Sequence, residues 1–399
     1  MPRRHVVDPR FAAELRRLRK ARSLSLRDLA GLAYVAKSTI SELENGQKSP
    51  TPESAQALDR ALQAKGALAE LVTETTPAAS NPVMPWETAE LLERVRASDV
   101  SAATVEALHA TVFELCCAYG WQDARRLRGE GLRWLREVER LLRRPVGLRR
   151  HQDLLIVAGW LALLVGCIEY DLELPPAAEA TRAAALELAR EGGSNEIATW
   201  AWEMSAWFAL TQGRYRDVVT AAEAGQHIIG EHTAAVQLLG QEAKALARVG
   251  DVRGVRSALE RGRALLDRFP PPSRPDHHFV VDPDKWDFYA MDAYRIVGED
   301  ALAHHHAEQV LILGTAPDGT EKAPMRMAEA RLTLGKVAAR ADDLEHAAAV
   351  AVEAFQAKRR SLPQLLMVAH EVGEELCRRD PKGWPARDFR EAVRAVSAE

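Results

Sequence analysis

Residues 24–50 read LSLRDLAGLAYVAKSTISELENGQKSP, and this stretch decides how the N-terminal part of the chain folds. The segment SLRD at residues 25–28 has the spacing of a capping box, in which the first and fourth side chains bond to each other's backbone amides. It predicts a short helix that ends near Ala33. A second short helix is predicted over residues 37–45, because Gly46 favours the left-handed backbone at which helices end. Two helices joined by a tight turn are therefore expected here.

Helical patterns flank this pair on both sides. Asp8 is predicted to cap a first helix, because the proline that follows it suits the start of a helix. Thr51, also followed by proline, is predicted to begin a fourth helix, and Leu68 is expected to anchor a short fifth one. Residues 1–72 are accordingly predicted to form a domain of five helices.

Charge is distributed unevenly along the chain. Residues 1–72 carry 13 Lys and Arg against 8 Asp and Glu, whereas the remaining residues carry 40 against 49. A net charge of +5 on residues 1–72 suits a surface that binds phosphates, and the net −9 of the remainder does not. An ordinary solvated surface is the alternative explanation, and charge alone does not exclude it.

The helix predicted over residues 37–45 has an apolar face and a polar face. Ile40 and Leu43 fall on the apolar face and are expected to pack on the two preceding helices. The polar face carries Lys37, Ser38, Ser41 and Glu42. Lysine can donate hydrogen bonds to the guanine edge and glutamate can accept one from cytosine N4, so this face is suited to reading base pairs in the DNA major groove.

The stretch STISELENGQKSPT at residues 38–51 resembles the Cro/repressor (Xre-type) helix-turn-helix family, and the resemblance extends over about residues 8–72. The base-reading positions that it implies are Lys37, Ser38 and Glu42. Ser41 lies between them, within reach of a base edge, a sugar or a phosphate. It also implies a phosphate contact at Asn45 and a buried salt bridge between Arg19 and Glu44. The partner implied by this resemblance is a double-stranded DNA operator.

Three departures from the family pattern affect the turn and the phosphate contacts. The family usually has glycine in the turn and serine or threonine at the next cap, where this chain has Tyr34 and Ala36. A non-glycine residue at positive φ and a missing cap each cost about 1 kcal/mol. The family's phosphate-binding glutamine is Leu26 here, so Arg27 is the expected replacement. Arg10 is a further candidate phosphate contact in the basic N-terminal segment.

The remainder of the chain is predicted to be helical after a linker. The segment TETTPAASNPVMPWE at residues 73–87 has a linker composition, and residues 88–399 show only helical periodicity. Junctions between paired helices are predicted at Asp171, Gly213, Gly250, Gly298 and Asp342, with spacings of 42, 37, 48 and 44 residues. The pattern resembles tetratricopeptide-like repeats, so the predicted fold is all-α, with an α-solenoid of stacked helix pairs after the helix-turn-helix domain. A generic helical bundle is the alternative.

Stacked helix pairs present the first helix of each pair on a concave surface, where a ligand groove is predicted. The groove residues predicted on those helices are Trp160, Asn195, Trp202, Trp207, Gln237, Gln241, Lys244, Trp286, Tyr289 and Arg326. Aromatic walls with a few polar groups suit a peptide or small-molecule effector, although a single tryptophan is more commonly a core residue. The whole layout resembles regulators that join a helix-turn-helix domain to a tetratricopeptide-like sensor, some of which bind a short signalling peptide.

The proline-rich segment FPPPSRPDHHFVVDPDK, residues 269–285, interrupts the helical pattern. It is expected to be an ordered insertion or a flexible loop, and either a lid over the ligand or a plain surface loop. Its better candidates for metal ligands are His277, His278, Asp282 and Asp284, but the sequence predicts no metal and no cofactor.

Cysteine usage and hydropathy indicate a cytoplasmic protein. Cys116, Cys117, Cys167 and Cys377 form no CxxC pair, which favours free thiols in a reducing compartment. The longest apolar stretch, Leu154–Ile168, is shorter than a membrane span, contains two glycines and is predicted to be a buried helix. The N-terminal residues lack the apolar core of a signal peptide.

A transcriptional regulator is the function that the sequence favours. Because one recognition helix covers few base pairs, useful specificity requires two of them about 34 Å apart, and a homodimer joined through residues 88–399 is expected. No GxxxxGK[ST], HExxH or GxSxG motif occurs, so no enzymatic activity is predicted. The alternative is a helical-repeat scaffold for protein interactions, with a helix-turn-helix that does not read DNA.

Overall fold

A computed structural model of the chain describes residues 5–74, 100–228 and 232–398. The chain divides into two compact units, Met1–Glu90 and Leu91–Glu399. Residues 5–74, the described part of the first unit, are called the head below. Residues 100–228 and 232–398, the described part of the second unit, are called the body.

The head contains four α-helices and one two-stranded antiparallel ribbon. Its elements are β1 (His5–Val7), α1 (Phe11–Ala21), α2 (Leu26–Ala33), α3 (Lys37–Glu44), α4 (Pro52–Leu62) and β2 (Val72–Glu74). A capping box between Ser25 and Asp28 begins α2, and a second one between Thr51 and Ser54 begins α4. The helix starts predicted at Ser25 and Thr51 are therefore confirmed.

The predicted fifth helix of the head is not formed. Residues 65–71 instead make successive turns, because the left-handed backbone at Gln63 and Gly66 breaks the helical path. The Asp59 carboxylate accepts the amide hydrogens of Gly66 (2.8 Å) and Leu68 (2.7 Å), which stabilises this irregular path. Leu68 is fully buried, so it anchors the segment without a helix.

The ribbon of β1 and β2 is not predicted from the sequence. The Asp8 amide, next after β1, donates to the Leu71 carbonyl (2.8 Å) and so extends the pairing, while the Asp8 carboxylate accepts the backbone amide of Arg10 (2.8 Å) just before α1. The first helix accordingly begins later than expected, at Phe11. β2 ends at Glu74, which places the first two residues of the predicted linker in the head. Residues 75–87 of that linker lie outside the described residues.

The core of the head is apolar and draws on all four helices. Its buried residues include Phe11, Leu15, Leu29, Ile40, Leu43, Ala55, Leu58, Leu62 and Leu68. Ile40 and Leu43 belong to α3, which contacts α1 and α2. Burying each of these side chains contributes roughly 1.5–3 kcal/mol, and this packing is what holds a helix too short to form alone.

The body contains fourteen α-helices in its described residues. They are α5 (Ala102–Ala118), α6 (Ala124–Leu142), α7 (Leu148–Asp171), α8 (Pro175–Gly192), α9 (Asn195–Thr211), α10 (Tyr215–Gln226), α11 (Thr233–Arg248), α12 (Val252–Leu266), α13 (Pro283–Val297), α14 (Asp300–Gly314), α15 (Pro324–Arg340), α16 (Leu344–Glu353), α17 (Leu362–Arg379) and α18 (Trp384–Ser397).

Helices α7 to α18 form six hairpins of consecutive helices. Five of the hairpin turns contain a residue with positive φ: Glu173, Gly213, Gly250, Gly298 and Asp342. A left-handed residue ends the first helix and returns the chain, so these turns separate the paired helices. The five predicted junctions are confirmed, the first of them lying just after Asp171.

The first helices of successive hairpins pack side by side, from α7 through α9, α11, α13 and α15 to α17. The second helix of each hairpin packs on the first and backs this inner layer. Close approach within a hairpin relies on small residues, as where Gly335 of α15 lies against Ala347 and Ala351 of α16. The predicted all-α fold of stacked helix pairs is confirmed.

Among the helices of the described residues, α7 alone is long and apolar enough by length and composition to cross a membrane. However, 78% of its most apolar window is buried inside the body, where α5, α6, α8 and α9 pack on it. The prediction that Leu154–Ile168 forms a buried helix is confirmed. Cys116 and Cys167 lie in the same core as small buried residues.

The proline-rich segment between α12 and α13 is folded into the body. We call residues 269–282 the strap; they form neither helix nor strand. The Phe279 ring is buried and lies 5.4 Å from the Trp160 ring and 5.3 Å from the Trp200 ring, measured between centroids. The His278 amide donates to a carbonyl of α5 (3.2 Å). These contacts make the strap an ordered part of the core rather than a plain surface loop.

The last hairpin of the body returns to the first. Helix α17 contacts α7 and α9 in addition to its neighbour α15. Arg359, just before α17, donates to the Asp171 carboxylate at the end of α7 (2.6 Å). Glu371 of α17 accepts from Arg248 (2.8 Å) and Arg295 (3.0 Å). Buried ion pairs between residues distant in the sequence thus close the row of hairpins on itself.

Candidate functional site

In the head, the polar face of α3 is presented to solvent. The predicted base-reading residues are exposed or half-buried: Lys37, Ser38, Ser41 and Glu42. The opposite face holds Ile40 and Leu43 in the core. Nζ of Lys48 lies 3.7 Å from Oε2 of Glu42, and such an exposed ion pair contributes at most about 1 kcal/mol. Glu42 can therefore exchange this partner for another donor at little cost.

The turn before α3 shows both departures from the family pattern. Tyr34 lies in the left-handed region with φ of 55° and is 95% exposed, so nothing packs on its ring to offset the backbone strain. Ala36 occupies the cap position of α3 without a side-chain hydrogen bond. The first amide groups of α3 are consequently not bonded by a cap side chain, and they add a partial positive charge at the end of the polar face.

The structure brings Arg19 and Glu44 together. Nε of Arg19 lies 2.6 Å from Oε1 of Glu44, and Nη2 lies 2.8 Å from Oε2. Arg19 also donates through Nη1 to the Leu24 carbonyl (2.9 Å), and its hydrogen bond to Glu44 raises its pKa. Because Glu44 is only 7% exposed, this two-point contact fixes the end of α3 against α1 and the start of α2.

Arg16 is a further contact to α3 that the sequence analysis does not predict. Its Nη2 donates to the Glu44 carbonyl (3.0 Å) and to Oδ1 of Asn45 (2.6 Å). The predicted phosphate contact Asn45 therefore already uses its side-chain oxygen, which leaves its amide nitrogen for a phosphate. One signal could identify Arg16: it lies three residues before Arg19, one turn away on the same face of α1.

The other two predicted phosphate contacts lie on the surface of the head. Arg27 is exposed in the first turn of α2. Arg10 is exposed but bonded to Asp8, with Nη2 to Oδ2 at 2.8 Å and Nε to Oδ1 at 3.0 Å. The side-chain hydrogen bond from Arg10 lowers the pKa of Asp8 to about 2. Binding of Arg10 to a phosphate would require it to leave this carboxylate.

In the body, the inner helices and the strap line a cavity of about 170 Å³ that is partly open to solvent. The predicted groove residues that line it are Trp207, Gln237, Gln241, Lys244, Tyr289 and Arg326. The strap contributes Pro275 to His278 and Val280 to the wall. A space of this size holds on the order of ten water molecules, or one small ligand.

Four predicted groove residues do not line this cavity. Trp286 is buried against Gly262 of α12, Trp160 packs on the strap, and Trp202 packs against α10. Asn195 is the exposed first residue of α9. Trp286 is a core residue, and Trp160 and Trp202 are partly buried and pack against the core. The prediction of these three tryptophans as groove residues is corrected for this cavity.

Two buried carboxyl groups in the cavity wall are not predicted from the sequence. Oε1 of Glu203 accepts from Nε2 of Gln241 (2.7 Å), and Oε2 of Glu329 accepts from Nε2 of Gln364 (3.0 Å). Burial raises the pKa of both carboxyl groups. The signal for Glu203 is its position as the one charged residue in the largely apolar run AWEMSAWFAL of α9.

Three lysines line the cavity. Lys322 is exposed, whereas the ammonium groups of Lys285 and Lys244 have partners in the wall. Nζ of Lys285 donates to the carbonyls of His278 (2.7 Å) and Val280 (3.0 Å), and burial lowers its pKa to about 8. Nζ of Lys244 lies over the rings of Phe288 and Tyr289, at 4.4 and 4.9 Å from their centroids. The wall therefore combines satisfied cations with carboxyl groups held by neutral amides.

The chain was compared with known protein families, curated proteins and solved structures. Residues 10–72 match the family model described as a helix-turn-helix domain. No curated protein shows significant sequence similarity to the chain. Among solved structures, the chain is similar to PlcR of Bacillus thuringiensis in a crystal structure with the peptide PapR7 and DNA. The two are 12% identical over 92% of this chain and 98% of that chain, with a TM-score of 0.32, which does not establish a shared fold. Residues 10–72 of this chain form a helix-turn-helix domain.

Proposed function

We propose that this protein is a sequence-specific DNA-binding transcriptional regulator. The observation that carries the proposal is the exposed polar face of α3 on a helix-turn-helix domain. In this proposal Lys37, Ser38, Ser41 and Glu42 meet base edges in the major groove. Arg27, Arg10 and the Asn45 amide meet phosphates, which fix the position of α3 but carry no sequence information. The net charge of +5 on residues 1–72 supports this docking.

The regulator acts as a homodimer in this proposal. One α3 contacts only a few base pairs, and two of them in adjacent major grooves give useful specificity. The body provides the dimer contact, and the protein works in the cytoplasm. Sedimentation analysis of the purified full-length chain tests the dimer, which should persist at micromolar concentration.

The cavity of the body is the proposed effector site. Its volume of about 170 Å³ supports the small-molecule alternative over an extended peptide. A bound effector would shift the body between two arrangements and so change the spacing of the two heads of the dimer. Only a spacing that matches the two half-sites would bind DNA tightly.

A gel-shift experiment on the promoter next to the protein's own gene tests DNA reading. The full-length chain should form a complex that weakens steeply as salt rises, because phosphate contacts release counterions. The double variant Lys37→Ala with Glu42→Ala should lose roughly 10- to 100-fold in affinity for its preferred sequence, since base contacts contribute about 1–3 kcal/mol.

Lys20→Ala is the matched control, because Lys20 is an exposed lysine of the head in the last turn of α1. This variant should keep the sequence preference of the parent chain. A chain that binds all sequences equally, or a double variant that binds like the parent, would refute DNA reading by α3. Capture of one protein partner by a chain that ignores DNA would favour the scaffold function instead.

A further inference from the structure

Unsatisfied hydrogen-bond acceptors cluster in the cavity of the body. Within the described residues, seven buried side-chain nitrogen or oxygen atoms lack a hydrogen-bond partner. Four of the seven belong to residues of the cavity wall: Oε1 of Gln237, Gln241 and Gln364, and Oγ of Ser361. The three glutamines are 6%, 3% and 5% exposed, so bulk water does not satisfy them. Leaving a buried polar atom unbonded costs about 1–3 kcal/mol. An occupant of the cavity that bonds to these atoms would therefore be stabilised.

The carboxyl groups fix which way the glutamine amides point. A carboxylate oxygen needs a donor, and only the NH₂ end of a glutamine amide is one. Gln241 bonds to Glu203, and Gln364 bonds to Glu329. The amide oxygens are consequently the ends left without partners at the cavity. An occupant must therefore supply hydrogen-bond donors.

The charges in the wall indicate what kind of donor is missing. Lys285 bonds to two carbonyls of the strap, Lys244 lies on two aromatic rings, and Nη1 of Arg326 lies 4.0 Å from Oδ1 of Asp282, so none of these three cations requires an anion. Lys322, the fourth cation of the wall, is exposed to solvent. Glu203 and Glu329 are buried, and neither forms an ion pair with the described residues. Buried carboxylates are normally paired with a cation. A positively charged donor meets both requirements, whereas Lys244, Lys285 and Arg326 in the wall disfavour an occupant with several positive charges.

We propose that the cavity of the body binds a small primary monoamine. Its ammonium group donates to the glutamine amide oxygens and lies near Glu203 and Glu329. Its apolar part lies against the aromatic side chains of the wall, among them Tyr119, Trp207 and Tyr289. This inference deepens the proposed function, because it rests on the cavity being the effector site and names the chemical class of the effector.

Calorimetric titration of the full-length chain, without DNA and at pH 7, tests the proposal with methylamine, butylamine and phenethylamine. At least one of the three should bind with one site per chain. Phenethylamine should bind roughly 10- to 100-fold more tightly than 2-phenylethanol, which has the same ring but a neutral donor, because hydrogen bonds to a charged group are worth about 1.5–3 kcal/mol.

Variants of the two carboxyl–amide pairs locate the site. Glu203→Gln and Gln364→Leu should each weaken phenethylamine binding at least about tenfold. Gln226→Leu is the matched control, because Nε2 of Gln226 donates to Oε2 of Glu242 (3.0 Å) in a similar pair that does not line the cavity. It should leave binding unchanged. Circular dichroism and thermal unfolding identify any variant that does not fold, and the two variants are on different helices, so either one suffices.

Three results would overturn the proposal. The first is that none of the three amines binds, which would mean that ordered water alone fills the acceptor cluster. The second is that 2-phenylethanol binds as tightly as phenethylamine. The third is that folded Glu203→Gln and Gln364→Leu variants bind like the parent chain. Failure of DNA reading would appear only in the gel shift, so the two proposals fail separately.

Discussion

At the scale of single residues, Tyr34 combines two properties that rarely occur together. Its backbone is in the left-handed region, which disfavours any side chain with a Cβ atom, and its own side chain is 95% exposed. Packing of the Tyr34 ring therefore does not offset the backbone strain. A function outside the head's own fold, such as a contact with DNA beside α3, would account for a tyrosine at this position.

Replacement of Tyr34 by glycine should stabilise the turn before α3. The relief of about 1–2 kcal/mol of backbone strain exceeds the roughly 0.5–1 kcal/mol that glycine loses through chain entropy, so a net gain of about 0.5–1 kcal/mol is expected. Hydrogen–deuterium exchange of peptides from residues 24–50 in the full-length chain measures it, since residues 1–72 contain no tryptophan. Tyr34→Ala keeps the strain and should show no such gain; equal protection in both variants would contradict the explanation.

Individual residues differ in how far the sequence predicts them. Arg19 and Glu44 are singled out because a family resemblance supplies their pairing, whereas Arg16 has no motif and shows its contact only once α1 and α3 are packed. Glu203 and Gln364 reach the cavity from helices far apart in the sequence. Pairings of that kind depend on the tertiary fold, and periodicity within one helix does not contain them.

At the scale of secondary-structure elements, successive hairpins are held together by close contacts between their helices. Trp286 of α13 lies directly on Gly262 of α12, where a Cβ atom would overlap the indole ring. Trp286 is 5% exposed, so its ring is packed on its other sides as well. The glycine is therefore required by packing, although a glycine inside a helix costs about 0.5–1 kcal/mol in chain entropy.

Gly262→Ala should destabilise the body by about 1–3 kcal/mol, because overpacking forces the indole ring or the helix to shift. Gly129 of α6 provides a control of opposite sign: nothing lies within 4 Å of its hypothetical Cβ atom, so Gly129→Ala should stabilise the chain by about 0.5–1 kcal/mol. Urea unfolding followed by tryptophan fluorescence measures both variants. If Gly262→Ala and Gly129→Ala both raise the free energy of unfolding, then helix propensity, and not contact with Trp286, governs position 262.

Some elements of the fold can be predicted from the sequence and others cannot, because only some of them depend on local signals. The hairpin turns carry local signals, because Gly213, Gly250 and Gly298 supply the left-handed backbone that ends a helix. The ribbon of β1 and β2 carries none, since each strand has three residues and its partner is distant in the sequence. The predicted fifth helix fails because the Asp59 carboxylate supports a competing set of turns.

At the scale of the whole molecule, stability should fall as the pH falls from about 6.5 to about 4. Burial lowers the pKa of His277 to about 4 and lowers that of His278 well below its usual value. In this window the unfolded chain binds protons at both residues while the folded chain does not. Stability therefore decreases on acidification, by at most about 1.4 kcal/mol per pH unit for each histidine.

Urea midpoints at several pH values between 7 and about 4.5 measure this dependence. Glu203 and Glu329 oppose it in part, because their raised pKa values let the folded chain bind protons first. The double variant His277→Gln with His278→Gln should flatten the slope. His304→Gln, which changes an exposed histidine of α14, should keep the parent slope. A double variant as acid-sensitive as the parent would rule out the strap histidines as the cause.

The ion pair between Arg359 and Asp171 joins residues separated by 188 positions. A linear array of helical repeats frays from its termini, because a terminal unit has only one neighbour to hold it. Here the first and last hairpins of the row contact each other. If the last hairpin separates from the row, the ion pair between Arg359 and Asp171 must also break. The closed row should then melt cooperatively in a single step, and partially unzipped forms of the body should be scarce at equilibrium.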